Sequence, residues 1–95
     1  MAVIRTTHFT AAADLEEMLR RRAKLIDVLR ASYAGLTEAR MTRQADGTYA
    51  DAWRWESADL MQAAVAAGPT LPEATAAFAV VTDATVTVAE IVDER

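Results

Sequence analysis

Hydrophobic and polar positions change period along the chain, and each change marks an element. Ala2 to Phe9 alternates: Val3, Arg5, Thr7 and Phe9 fall on one side, Ala2, Ile4, Thr6 and His8 on the other. That is the period of a strand. Neither side is purely apolar, as expected of a sheet with both faces partly covered, one of them around a polar cavity. After a short link, Thr10 to Ala13, the period becomes helical. Leu15, Met18, Leu19, Leu25, Ile26, Leu29 and Tyr33 recur at threes and fours, Val28 widens the stripe, and Arg22 interrupts it. Asp14 with Glu17 three residues on has the form of a capping box. Gly35 is placed to end the helix near Ala34. Glu16–Arg20 and Glu17–Arg21 are favourably oriented pairs four residues apart.

Leu36 to Ala45 reads as a second strand, with Glu38, Arg40 and Thr42 alternating against Ala39, Met41 and Arg43. Asp46-Gly47 then predicts a hairpin with a type I′ turn, which needs positive φ at both central residues. The third strand, Thr48 to Glu56, carries Tyr49, Asp51, Trp53 and Trp55 on one face and Ala50, Ala52 and Arg54 on the other. The alanine face suits close packing under a helix; the aromatic face suits a pocket or a partner. Ser57 caps a helix over Ala58 to Ala67, closed by Gly68-Pro69. A second capping box, Thr70 with Glu73, and Pro72 in the first turn start a short helix ending near Phe78. Asp83 to Val92 is the last strand, followed by a charged tail, Asp93-Glu94-Arg95.

The order is β-α-β-β-α-β with the second helix broken in two. This predicts a ferredoxin-like α+β fold: a four-stranded antiparallel sheet with helices on one face only. Residues 1–95 form a single domain, which buries roughly two-thirds of its unfolded surface. The bare sheet face needs a cover, and a second copy of the chain, in a homodimer, is the expected one.

Composition narrows the function. Hydrophobic residues make up 53% of the chain, but many are alanine, which buries little area. A net charge of −4 excludes the basic footprint of a nucleic-acid binder. The cluster Arg20, Arg21, Arg22 and Lys24 lies among Glu16, Glu17 and Asp27, so it reads as a solvated helix face rather than an anion site. There is no cysteine, so disulfides, thiolate metal sites and cysteine nucleophiles are ruled out. The N-terminus lacks an apolar signal region, and no apolar run approaches the roughly 20 residues of a membrane span. A cytoplasmic protein without membrane contact is expected. His8, the only histidine, has no companions for a metal site. Ser57 has no triad context, and the three glycines stand apart, so no phosphate loop exists.

At Trp55-Glu56-Ser57 a family pattern comes into view. An Asp-Gly hairpin, an alternating strand ending W-x-S, an alanine-rich helix and a late proline-to-phenylalanine segment, Pro72 to Phe78, resemble the antibiotic biosynthesis monooxygenase superfamily. The resemblance implies a dimeric α+β barrel. Its catalytic members oxidise aromatic polyketides or quinols with O2 and neither metal nor flavin, the deprotonated substrate supplying the electrons; no cofactor is therefore expected. A haem-degrading branch uses an asparagine on the first strand and a histidine on the helix after W-x-S. This chain has no asparagine, and its one histidine lies elsewhere.

The resemblance carries over most directly to Trp55, as a flat wall against an aromatic ligand or as core packing at the strand end. Trp53 and Tyr49 share its face and would extend the wall. Asp51 is the candidate general base, and Arg40 or Arg5 would hold a phenolate or developing oxyanion. Against this stands an Arg40–Asp51 ion pair across the hairpin, purely structural in role. His8 is a candidate base near neutral pH, or an ordinary half-exposed strand residue. Two functions follow: cofactor-free oxygenation or binding of an aromatic small molecule, or a non-catalytic homodimer whose cavity is filled by its own side chains.

Overall fold

The computed structural model describes all of residues 1–95. Its elements run β1 (Val3–Ala11), α1 (Leu15–Ser32), β2 (Leu36–Arg43), β3 (Tyr49–Trp55), α2 (Ala58–Ala67), a 3-10 turn (Gly68–Thr70), α3 (Pro72–Phe78) and β4 (Val81–Glu90). The strands form one antiparallel sheet in the order β2-β3-β1-β4. This is the ferredoxin-like arrangement.

The caps behave unevenly. Asp14 accepts the backbone N–H of Glu17 at 2.8 Å, but the Glu17 carboxylate does not reach back. It accepts instead from Arg20 and from Arg21 Nε, the latter at 2.7 Å. Of the two pairs expected on α1, Glu17–Arg21 forms; Arg20 turns to Glu17 rather than Glu16. Ser57 accepts from the Leu60 N–H at 3.1 Å, as its position predicts. The second capping box does not form: Leu71 is the N-cap of α3, and the Thr70 hydroxyl donates back to the Ala67 carbonyl at 2.6 Å. Pro72 still takes the first helical position.

The hairpin also departs from expectation. Gly47 has φ of +88°, whereas Asp46 has no positive φ. The N–H of Gly47 donates to the Gln44 carbonyl (3.0 Å) and that of Gln44 to Thr48 (2.7 Å). The loop is a type I turn closed by a left-handed glycine rather than type I′, the common three-residue solution. Asp46 stabilises it by accepting from the Thr48 N–H and hydroxyl.

Register settles which residues share a face. Val3, Arg5, Thr7 and Phe9 lie opposite Trp55, Trp53, Asp51 and Tyr49, and Ala39 and Met41 lie beside Trp53 and Asp51. This aromatic face is the one under the helices. Val3 and Trp55 pack with Leu25, Ile26 and Leu29 of α1, Met61 and Ala64 of α2 and Ala74 of α3. A smaller cluster joins Phe9, Met18 and Val80. The expected placement is therefore reversed: Ala50 and Ala52, with Ile4, Thr6 and His8, lie on the helix-free face. Large side chains are what fill the gap between a helix layer and a sheet.

Two bulges adjust the edges. β2 carries an extra residue at Thr37, between the pairs Leu36–Trp55 and Glu38–Arg54. The shift returns Leu36 to the helix face, where it is buried. β4 carries an extra residue opposite Phe9, between the pairs His8–Thr85 and Thr10–Thr82. Asp83 there takes φ of +54°, a conformation that a short polar side chain tolerates better than most.

Candidate functional site

A cavity of about 430 Å³ lies between the helices and the sheet. Its floor is Arg5, Thr7, Asp51, Trp53 and Trp55; its walls are Met18, Arg22 and Leu25 of α1 and Ala64 of α2; and α3 closes it with Ala74, Ala77 and Phe78. The lining is mostly apolar, with few polar groups among the aromatic and aliphatic ones. This is the size and character of a small-molecule site.

Trp55 belongs both to the core and to the cavity lining. It is the most buried large side chain, 1% exposed, at the centre of the main core, and it also lines the cavity. Its indole N–H is buried without a hydrogen-bond partner. Trp53, half-buried, forms the adjoining wall directly opposite Arg5. Phe9 of β1 and Phe78 of α3 add two more aromatic rings, the latter half exposed at the cavity edge.

Asp51 is the one buried charged residue of the chain. Its partner is Arg22, not Arg40. Arg22 Nε donates to Oδ2 at 2.8 Å and Nη2 to Oδ1 at 2.9 Å, a fork that uses both carboxylate oxygens. The interruption in the α1 stripe is thus the helix's contribution to the cavity. Arg22 stands on the core-facing side, between the turns of Met18 and Leu25, so one of the four clustered basic residues leaves the solvated face. The other three keep to it: Arg20 and Arg21 engage Glu17, and Lys24 is exposed. Arg21 also donates to the Ala76 carbonyl at 2.9 Å, tying α1 to the last turn of α3.

Arg40 lies opposite Ala52 on the helix-free face and pairs with Glu38 at 2.6 Å, both exposed. The expected Arg40–Asp51 pair cannot form, because the residues point to opposite sides of the sheet: register sets Met41, not Arg40, beside Asp51. His8 is exposed on the same helix-free face, opposite Ala50 and Thr85. Tyr49 keeps the face of the tryptophans but sits at the far end of the sheet. There it stacks on Phe9, centroids 5.7 Å apart, under the Arg43 guanidinium at 5.6 Å. It belongs to a separate shallow groove with Leu15 and Leu19.

Four of the seven expected residues therefore meet in the cavity: Arg5, Asp51, Trp53 and Trp55. Arg40, His8 and Tyr49 do not. Sequence reading missed Arg22 and Phe78. The signal for Arg22 was present, a cation in an apolar stripe; for Phe78 there was only its place at the end of a short helix.

Solved structures share the fold across nearly the whole chain. A cofactor-independent oxygenase from Streptomyces nogalater, SnoaB, superposes with a TM-score of 0.79 at 22% identity, over 98% of this chain and 95% of that one. A "putative antibiotic biosynthesis monooxygenase" from Caulobacter crescentus gives 0.71 at 16% identity, over 97% and 91%. A dimeric ferredoxin-like protein of unknown function from Jannaschia sp. gives 0.65 at 16% identity, over 96% and 100%. No protein-family model matches the chain, and no curated protein matches it in sequence.

Proposed function

The chain has the fold of the antibiotic biosynthesis monooxygenase superfamily, and we propose that it is a homodimeric, monooxygenase-like protein that takes an aromatic small molecule of phenol or quinol type into the helix-side cavity. The observation that carries this reading is a 430 Å³ apolar cavity walled by Trp53, Trp55 and Phe78. Flat indole and phenyl faces favour flat ligands through offset or edge-to-face contacts. A cavity this open also argues against one filled by the chain's own side chains. The cofactor-independent oxygenase activity of SnoaB and the dimeric state of the Jannaschia protein are properties of those molecules; they supply precedent for the two halves of the proposal.

The chemistry would need no metal or flavin. An ionised phenol is electron-rich enough to reduce O2. Where the ionised ring carries a conjugated methylene, as an anthrone does, and that methylene becomes a carbonyl, the substrate gives up four electrons to O2. One oxygen atom enters the carbonyl and the other leaves as water. The chain's part is to bind the ring, exclude water and stabilise the anion. Trp53, Trp55 and Phe78 would hold the ring, Arg5 would face the phenolate oxygen, and Asp51 would take the proton.

One observation favours a second reading. Both Asp51 oxygens already accept from Arg22, so the carboxylate is occupied in holding an arginine, which fits a protein that binds its ligand without turning it over. Oxygen uptake separates the two. With a panel of anthrones, naphthols and quinols, the catalytic reading expects one O2 consumed per substrate and a loss of at least about a hundredfold in kcat on Asp51→Asn. Binding of the same compounds with no O2 uptake would leave the binding reading alone. No binding by any of them would end both.

A further inference from the structure

The charges in the cavity do not balance. Three charged side chains line it: Arg5, Arg22 and Asp51. Arg22 and Asp51 neutralise each other through their two-bond fork. Arg5 forms no hydrogen bond or ion pair with any side chain. The one other acid on the same sheet face near it is Glu90, which register places beside Val3 rather than Arg5, and Glu90 has no cation within salt-bridge distance. Arg5 stands on the central strand β1 between Trp53 and Val88. Burial pushes its guanidinium below its ordinary pKa without a compensating partner.

A guanidinium offers five N–H donors in a plane and is charged at any pH the fold survives. Leaving one partly buried and unpaired costs free energy, since its lost hydration is not replaced. The other arginines that the structure partly buries all have acceptors: Arg21 has Glu17 and Ala76, Arg22 has Asp51, and Arg54 has Glu94 and Thr37. Arg5 alone among them is left open, and it is open towards the cavity.

Resting on the reading of the cavity as an aromatic site, we propose that the ligand is a planar aromatic monoanion, an aromatic acid or a ring already ionised in solution, and that Arg5 selects for this charge. The negative oxygen meets Arg5 while the ring lies against Trp53. A neutral ring of the same shape leaves the guanidinium unpaired and also takes away its remaining water. A dianion exceeds the single uncompensated charge. Selection then comes from one residue, separately from the apolar walls that any flat molecule could use.

Both tryptophans of the chain line the cavity, so intrinsic fluorescence reports on occupancy directly. Titrations with 2-naphthoate and with its neutral isostere 2-naphthamide, at pH 7.5, test the proposal in the native protein, Arg5→Gln and Arg5→Lys. The expected result is naphthoate binding about tenfold or more tightly than naphthamide, from one charge-assisted contact. Arg5→Gln should abolish this preference without weakening naphthamide, and Arg5→Lys should keep part of it. Equal affinity for the two ligands, or a preference that survives Arg5→Gln, overturns the proposal and leaves the aromatic site standing. Failure of both ligands to quench the native protein overturns the aromatic site as well. Circular dichroism confirms that each variant is folded, and the lysine variant keeps the test decisive if glutamine disturbs the strand.

Discussion

Arg22 and Asp51 show how a single ion pair sets the character of a small core. Both side chains are largely removed from water, 18% and 11% exposed. Removing one partner strands the other. Asp51→Ala should therefore cost about 3 kcal/mol of stability, read as a drop in urea midpoint at unchanged slope. Replacing both, Arg22→Met with Asp51→Leu, should recover most of that loss, since apolar residues of similar volume often substitute for a buried pair. If the double variant is as unstable as the single one, the pair holds the fold by more than mutual neutralisation. Glu17 illustrates the opposite case at the surface. Hydrogen bonds from Arg20 and then Arg21 hold its carboxyl at about 2, against an ordinary 4.5. A depressed folded pKa contributes stability that is full above 4.5 and lost as pH falls towards 2. Thermal unfolding followed over that window should show a shallower decline for Glu17→Gln than for the native chain. The difference will be small, because exposed pairs are screened by solvent.

At the scale of elements, the helix and turn signals make sharp comparisons. Ser57→Ala removes a hydrogen bond to the Leu60 N–H and should cost about 1 kcal/mol. Thr70→Ala, at the residue with the same apparent role, should cost less, because its hydroxyl meets no N–H of α3 and returns instead to the Ala67 carbonyl at the end of α2. Gly35 has φ of +110°, and a Cβ there would lie 2.9 Å from the Leu60 side chain. Gly35→Ala should destabilise by more than about 1 kcal/mol, whereas Gly68→Ala, with ordinary helical φ and open space, should be neutral or stabilising. Such contrasts explain which parts of the fold could be read beforehand. Element order, the Ser57 cap and the shared face of Tyr49, Asp51, Trp53 and Trp55 follow from local chemistry and the period of two. Which face the helices would cover did not, because alternation groups side chains without saying where the next layer lands. The bulges at Thr37 and Asp83 leave no compositional mark, yet the first moves Leu36 into the core. Arg22 and Asp51 are 29 residues apart in sequence, and their meeting depends on how α1 lies across β3. For the same reason Arg40 looked like the partner of Asp51: the hairpin makes it the neighbour in sequence, while register turns it to the other side.

At the scale of the whole molecule, one sheet face is unclaimed by any helix. Thr6, Ala50, Ala52, Thr42 and Thr87 make its centre flat and weakly polar, with His8 and the Arg40–Glu38 pair around them, and Arg54 with Glu94 closes one end by a two-bond fork that also fastens the C-terminal tail. A flat face of small side chains can approach another sheet closely, and the proposed homodimer would bury it there. Ala52→Glu, a charge at the middle of that face, should yield monomers by sedimentation velocity with secondary structure intact. The cavity lies on the opposite side of the sheet, so the dimer and the ligand site are separable by mutation. The most direct test of the central claim is native mass spectrometry of the purified chain incubated with a mixture of aromatic acids and phenols. The account predicts a dimer carrying one aromatic molecule per protomer, and loss of that molecule, but not of the dimer, when Ala74→Phe fills the cavity from α3. A chain that binds none of the mixture, or a ligand that survives Ala74→Phe, would contradict it.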